Sequence, residues 1–259
     1  MNFTRLFASA AFAAVTCLAQ SDLALPHIAG TVFSAAGTTP DDIRKTVDDF
    51  RLVTGAAVNP PGSPGSPLNR RDINWDGVPD ALSAPGALPP DFFNKNSARG
   101  AVFSSQEKGW VGFQVSGKAG ITDVRFDNFL AGYSEIFKTF SAERLFSSTG
   151  SHVYDVDFFI PGTQDRGSVH SFGAVFTNVA IPTTSSMEYF TADGVSLGKY
   201  YVRVSPKGLS FLGVSFPGSV IAKVRITPGT AALGTEDKPA EGVNIVVLDD
   251  FLYSEPVKK

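Results

Sequence analysis

Three runs between Ser168 and Ile226 decide the fold: SVHSFGAVFTNV at Ser168–Val179, LSFLGVSF at Leu209–Phe216 and VIAKVRI at Val220–Ile226. Each is short and rich in Val, Phe or Ile, the residues that suit a pleated, half-buried surface. In the last run Val220, Ala222, Val224 and Ile226 alternate with Lys223 and Arg225, the period-2 pattern of a strand with one face in a core. His170, Phe172, Ala174 and Phe176 likewise share a face. Pro217-Gly218-Ser219 separates the second run from the third. MEYFT and VSLGKYYVRV flank Ala192-Asp193-Gly194, a hairpin connection in which glycine supplies positive φ.

The same texture extends outward. VYDVDFFI puts Tyr154, Val156, Phe158 and Ile160 on one face and Asp155 and Asp157 on the other, and Pro161-Gly162 closes it. GAVFSS, WVGFQV and TDVRF precede it, Asn128–Phe146 has apolar residues at mixed spacing, and VNIVVLDDFLY forms the final strand. The spacing predicts an all-β fold, a β-sandwich of jelly-roll type over residues 99–256. Residues 20–98 read as an N-terminal arm that joins the sandwich in one structural domain. In it, TPDDIRKTVDDFRLVTG predicts a single helix from about Pro40 to Thr54. Thr39 suits the N-cap, Pro40 the first turn, and Ile43, Val47 and Phe50 form one apolar stripe. NPPGSPGSP (59–67) and ALSAPGALPPD (81–91) are loops, because proline lacks the donor that a central strand needs.

Composition agrees. The chain has 259 residues with 22 Phe, 25 Gly and 17 Pro, and its 43% hydrophobic content is enough for a sizeable core. A formal charge of −3 gives no electrostatic reason to expect nucleic acid or an anionic membrane as partner. Residues 1–19 read as a secretory signal peptide. One positive charge leads a short apolar run, and Cys17 and Ala19 occupy the −3 and −1 positions of a cut before Gln20. The competing reading is a lipoprotein signal that uses Cys17. Cleavage after Ala19 leaves a mature chain without cysteine, hence without disulfides. No later apolar run is long enough to span a bilayer, and the expected location is secreted, either extracellular or periplasmic.

RDINWDGVPD, ERLFSSTGSHVYDVDFFIPG, SFGAVFTNV, LSFLGVSF, AKVRI and VVLDDFLYSEP, in that order, resemble a family of secreted bacterial proteins of unassigned function. The resemblance covers roughly Thr39 to Pro256. It implies secretion and a jelly roll, and it carries no catalytic or ligand residue.

Asp72-Ile73-Asn74-Trp75-Asp76-Gly77-Val78-Pro79-Asp80 reproduces the front of a calcium loop. Asp72, Asn74, Asp76 and Asp80 offer side-chain oxygens, Val78 its carbonyl, and Gly77 permits the turn. Position twelve, however, is Ser83 rather than a bidentate Glu, and members of the resembling family often carry Glu at the Asp72 position. The other reading is a polar turn around a packed Trp75. Asp123, Asp127, Asp249 and Asp250 form a second acidic group, either a structural calcium site joining an early loop to the last strand or strand-end carboxylates in water or paired with Arg125. Calcium is thus the one cofactor the sequence suggests.

His27, His152 and His170 show no metal-ligand or triad spacing. Asp155 and Asp157, one strand repeat apart, have the separation of inverting-glycosidase carboxylates. Trp75, Trp110, Tyr133, Tyr189, Tyr200 and Tyr201 are candidate platforms for sugar rings or protein contacts. The reading is a non-catalytic binding or adhesion module for a glycan or surface polymer, stabilised by calcium. The alternatives are a jelly-roll carbohydrate-active hydrolase using Asp155 and Asp157, and a structural envelope or matrix protein.

Overall fold

Gly173 and Gly213 lie directly opposite each other on neighbouring strands, and the ring of Phe50 fills the notch between them. A Cβ on either glycine would come within 2.8 Å of that ring, so both strands need glycine there. The notch fastens the helix at Pro40–Thr54 to the larger of two sheets. The computed structural model describes residues 29–62 and 64–258. The expected signal peptide and His27 lie outside the described residues.

The strands are β1 (Thr31–Gly37), β2 (Arg70–Ile73), β3 (Ala101–Ser104), β4 (Gly112–Val115), β5 (Phe146–Thr149), β6 (Tyr154–Phe158), β7 (Ser171–Val179), β8 (Ser186–Phe190), β9 (Ser196–Tyr201), β10 (Ser205–Ser215), β11 (Lys223–Thr227) and β12 (Val247–Ser254). The helices are α1 (Pro40–Thr54) and two single turns, α2 (Phe92–Lys95) and α3 (Tyr133–Ile136). One sheet has the order β1-β10-β7-β12-β5-β4, with β2 also paired to β12; the other has the order β3-β6-β11-β8-β9. All ladders in both sheets are antiparallel. No described helix is long and apolar enough to cross a membrane.

The two-sheet sandwich therefore stands as the sequence predicts. Its seven and five strands exceed the eight of a simple jelly roll. Part of the excess comes from the arm: β1 extends the large sheet beside β10, and β2 pairs with the second half of β12. The arm is thus built into the sandwich. Helix α1 spans the predicted residues, and the Asp42 carboxylate accepts the backbone N–H groups of Thr38 and Thr39 at 2.8 Å each, which satisfies donors at its start.

The main core is aromatic and lies between the sheets. Trp75 stacks on Phe146 at 4.2 Å, and Phe103, Phe113, Tyr154 and Phe251 surround the pair. The outer face of the large sheet is covered too. Ile43, Val47 and Phe50 of α1 pack on Val175, Leu209, Phe211 and Leu252, and Phe126, Tyr133 and Phe137 pack near Val247. With both faces covered, all nine residues of β7 are buried, which explains its nearly continuous apolar run. The small sheet differs: its outer face carries charge.

Candidate functional site: a charged sheet face and its cleft

In the small sheet the pleat sends Tyr154, Val156, Met187, Tyr189, Val224 and Ile226 into the core. The alternate residues face outward and fall into rows across the strands. One row reads Ser104, Asp155, Arg225, Glu188 and Lys199; the next reads Val102, Asp157, Lys223, Phe190 and Ser196. Opposite charges on facing strands support the pairing.

Arg225 holds Asp155 with two parallel hydrogen bonds, Nε to Oδ1 at 2.8 Å and Nη2 to Oδ2 at 2.9 Å. Lys223 Nζ approaches Asp155 Oδ2 at 3.4 Å. The bidentate Asp155 carboxylate raises the pKa of the Arg225 guanidinium above its ordinary value. Asp157 accepts from Arg166 at 2.8 Å. Two of the cations also lie over rings, Arg166 over Phe159 at 4.5 Å and Lys223 over Phe190 at 4.8 Å. Asp155 and Asp157 do share the outer face, as their alternation predicts. Each is paired with an arginine, Asp155 with Arg225 and Asp157 with Arg166.

Beside the middle of the second row, at Asp157 and Lys223, a cavity of about 570 Å³ opens between the β8–β9 turn and the segment after β6. Asp157, Arg166, Lys223, Thr191, Gly194 and Lys258 contribute to its lining. That volume lies within the range of small-molecule sites, and its lining combines donors and acceptors of both charges. Sequence reading missed Arg166, Lys223 and Lys258 as site residues. The available signal was the opposite charge of VYDVDF and AKVRI at matching strand positions.

The expected calcium loop is organised differently. Asp72 lies in β2, where its carboxylate receives Arg70 Nε at 3.0 and 3.3 Å. Asn74 is exposed. Asp76 Oδ1 accepts the backbone N–H groups of Glu143 at 2.6 Å and Arg144 at 3.1 Å. The Arg144 guanidinium donates to the Val78 carbonyl and to the Asp80 carboxylate. The acceptors of the predicted ligand set thus point at protein donors, with a buried guanidinium where the sequence suggested a cation. Burial pushes the Asp72 and Asp76 carboxyls up. Among the described residues no group of three or more His, Cys, Asp or Glu is placed to hold a metal ion. The residues do not fit calcium; the loop is a polar turn around Trp75, whose Nε1 donates to the Asp249 carbonyl at 2.8 Å.

The second acidic group does not converge either. Asp123 is exposed, and Asp127 accepts from the backbone and hydroxyl of Ser134 at 2.7 and 2.6 Å. Asp249 and Asp250 are buried together where β12 bulges: three residue steps on β12, from Leu248 to Phe251, oppose two on β7. Asp249 accepts the Phe140 N–H at 2.6 Å, and Ser141 Oγ lies 3.1 Å from Asp249 and 2.6 Å from Asp250. Burial pushes both carboxyls up, and the like charge of Asp250 adds to the effect on Asp249.

Among the aromatic candidates, Trp75, Tyr133 and Tyr189 are core residues and cannot present a face to a ligand. The Tyr133 hydroxyl donates to the Thr235 carbonyl at 2.5 Å. Trp110 is half-buried against Phe113 at 5.4 Å, and Tyr200 is half-buried. Tyr201 is 49% exposed, with Lys199 Nζ 5.8 Å from its ring, at the edge of the charged face. His152 and His170 stand apart from the cleft lining, and burial pulls both imidazoles below their usual range.

No family model matches the chain, and no curated protein matches it. A solved structure, the enzymatically active domain of tailspike protein 4 of bacteriophage CBA120, is similar over 70% of this chain at 11% identity and a TM-score of 0.25. This chain spans 22% of the length of that one.

Proposed function

We propose that the protein is an exported, non-catalytic binding module whose ligand surface is the charged face of the small sheet and the cleft beside it. The ligand class is a hydroxyl-rich polymer, a glycan of the cell surface or its surroundings. One observation carries this reading: a cavity of about 570 Å³ is lined by carboxylate, guanidinium and ammonium groups at the margin of the charged sheet face. Such groups hydrogen-bond sugar hydroxyls as acceptors and donors, and the open sheet gives a chain somewhere to continue. Tyr201 at the edge offers an apolar ring for a sugar face.

The test is retention of the mature chain, from Gln20 onward, in gels containing individual neutral and acidic polysaccharides. At least one polymer should retard it, and the double variant Arg166→Ala/Lys223→Ala should weaken that retention by roughly tenfold or more, the scale of one or two charge-assisted hydrogen bonds. Arg166 is 68% exposed and Lys223 30% exposed, and near-ultraviolet circular dichroism checks that the double variant keeps the native fold. Retention on no polymer, or retention unchanged in the double variant, would overturn the reading. Self-association together with failure to bind would favour the matrix-protein alternative.

A further inference from the structure

We infer that the cleft is one of two adjoining chambers and that the site takes a glycan bearing an apolar acyl or aryl substituent. This rests on the binding reading above and narrows its ligand. A second cavity of about 300 Å³ shares Asp165 and Lys258 with the first, and Pro64, Pro67, Ile160, Pro256 and Val257 supply its other main surfaces. Glu255 also borders it, yet offers no charge to an occupant. It is 2% exposed, and its carboxylate is saturated by Arg71 Nε and Nη2 at 2.5 and 2.8 Å, Asn59 Nδ2 at 2.7 Å and the Gly65 N–H at 2.8 Å. The same bonds hold the proline-rich loop in place. The chamber is therefore preformed and lined by rigid rings, so filling it requires little ordering of the protein.

The partition between the chambers is weak. Lys258 Nζ meets Asp165 Oδ2 at 3.0 Å, and the two side chains are 70% and 60% exposed, the setting in which an ion pair contributes little. The backbone beside it is firm: Val257 and Ser168 exchange hydrogen bonds at 2.9 and 3.0 Å. Asp165 and Lys258 line both cavities, so opening of this pair would join a charged chamber to an apolar one. A ligand that fills both needs hydroxyl or charged groups at one end and hydrocarbon at the other. The apolar chamber has room for roughly ten waters, or an alkyl chain of similar volume.

The experiment compares octyl β-D-glucoside, below its micelle concentration, with methyl β-D-glucoside by titration calorimetry on the mature chain. The octyl compound should bind at least roughly tenfold more tightly, since each buried methylene adds to affinity. Pro67→Asp, at an exposed ring that needs no hydrogen bond, should abolish that preference and leave the methyl glucoside unaffected; near-ultraviolet circular dichroism confirms its fold. Equal affinities, a preference that survives Pro67→Asp, or binding of neither glycoside would each overturn the inference. Polysaccharide retention that persisted alongside any of these results would leave the binding reading standing.

Discussion

Arg144 places its guanidinium against the carboxylate of Asp80, the last acid of the 72–80 loop, while donating to the Val78 carbonyl. The side chain is 2% exposed and organises the loop from a distant part of the chain. Arg144→Ala should lower stability by about 3 kcal/mol, because it orphans a buried carbonyl and leaves a void. Excess calcium and chelator should give the same unfolding midpoint for the unaltered protein, since a ligand of the native state alone would raise it. Thermal unfolding monitored by circular dichroism checks both statements.

The paired carboxyls of Asp249 and Asp250 set a pH dependence with a definite sign. Their native pKa values are raised, chiefly by burial, so the native state holds protons that the unfolded chain has released. That contribution is fully present below about pH 4, the unfolded value, and is lost as pH rises through the raised native values. Ser141, the Phe140 N–H, Arg51 and Asp72 are the groups that face the pair. His152 and His170, pulled down by burial, act in the opposite sense and withdraw stability as pH falls below about 6.5. Asp249→Asn should lessen the decline as pH rises above about 4 and raise the melting temperature at pH 7. An unchanged profile would mean that the pair is ionised in the native state.

Glu255 and Arg71 form an ion pair with side chains 1% and 0% exposed. Breaking such a pair from one side leaves a buried charge, and Glu255→Ala should cost about 3–5 kcal/mol. The proline-rich loop should loosen as well, because Asn59 and Gly65 lose their acceptor. Urea unfolding reads the first effect, and faster protease cleavage between residues 59 and 67 reads the second.

The notch that receives Phe50 predicts two losses that do not add. Gly213→Ala should cost about 1–3 kcal/mol by overpacking, and Phe50→Ala about 3–5 kcal/mol by emptying the site. In the double variant the added methyl enters the vacated space, so the combined cost should fall below the sum. A full double-mutant cycle by urea unfolding would show it.

Some of these features were legible in the sequence and others were not, for reasons of distance along the chain. Helix α1 is specified locally: Thr39, Pro40 and Asp42 mark its start and Ile43, Val47 and Phe50 its buried stripe, so its limits could be read directly. The alternation of VYDVDF and AKVRI likewise placed each side chain on the correct face. Strand β1, TVFSAAG, has no such pattern, because it is ordered by pairing with β10. The loop at 72–80 misleads because a calcium site and a polar turn use the same Asp, Asn and Gly. What separates them is Arg144, 64 residues from Asp80. The cleft was missed for the same reason: the opposite charges of VYDVDF and AKVRI hint at it, but Asp157 and Lys223 become neighbours only through strand register.

The Gly173–Gly213 notch also bears on the order of events during folding. Helix α1 precedes nearly every strand in the chain, yet its socket exists only once β7 and β10 have paired. A chain emerging from its N-terminus therefore presents the stripe of Ile43, Val47 and Phe50 well before there is anything to receive it. Such late, non-local closure slows folding and prolongs the exposure of apolar surface. A nascent chain stopped before Leu209 would have no socket at all, and its helix would be the element most open to capture by a chaperone.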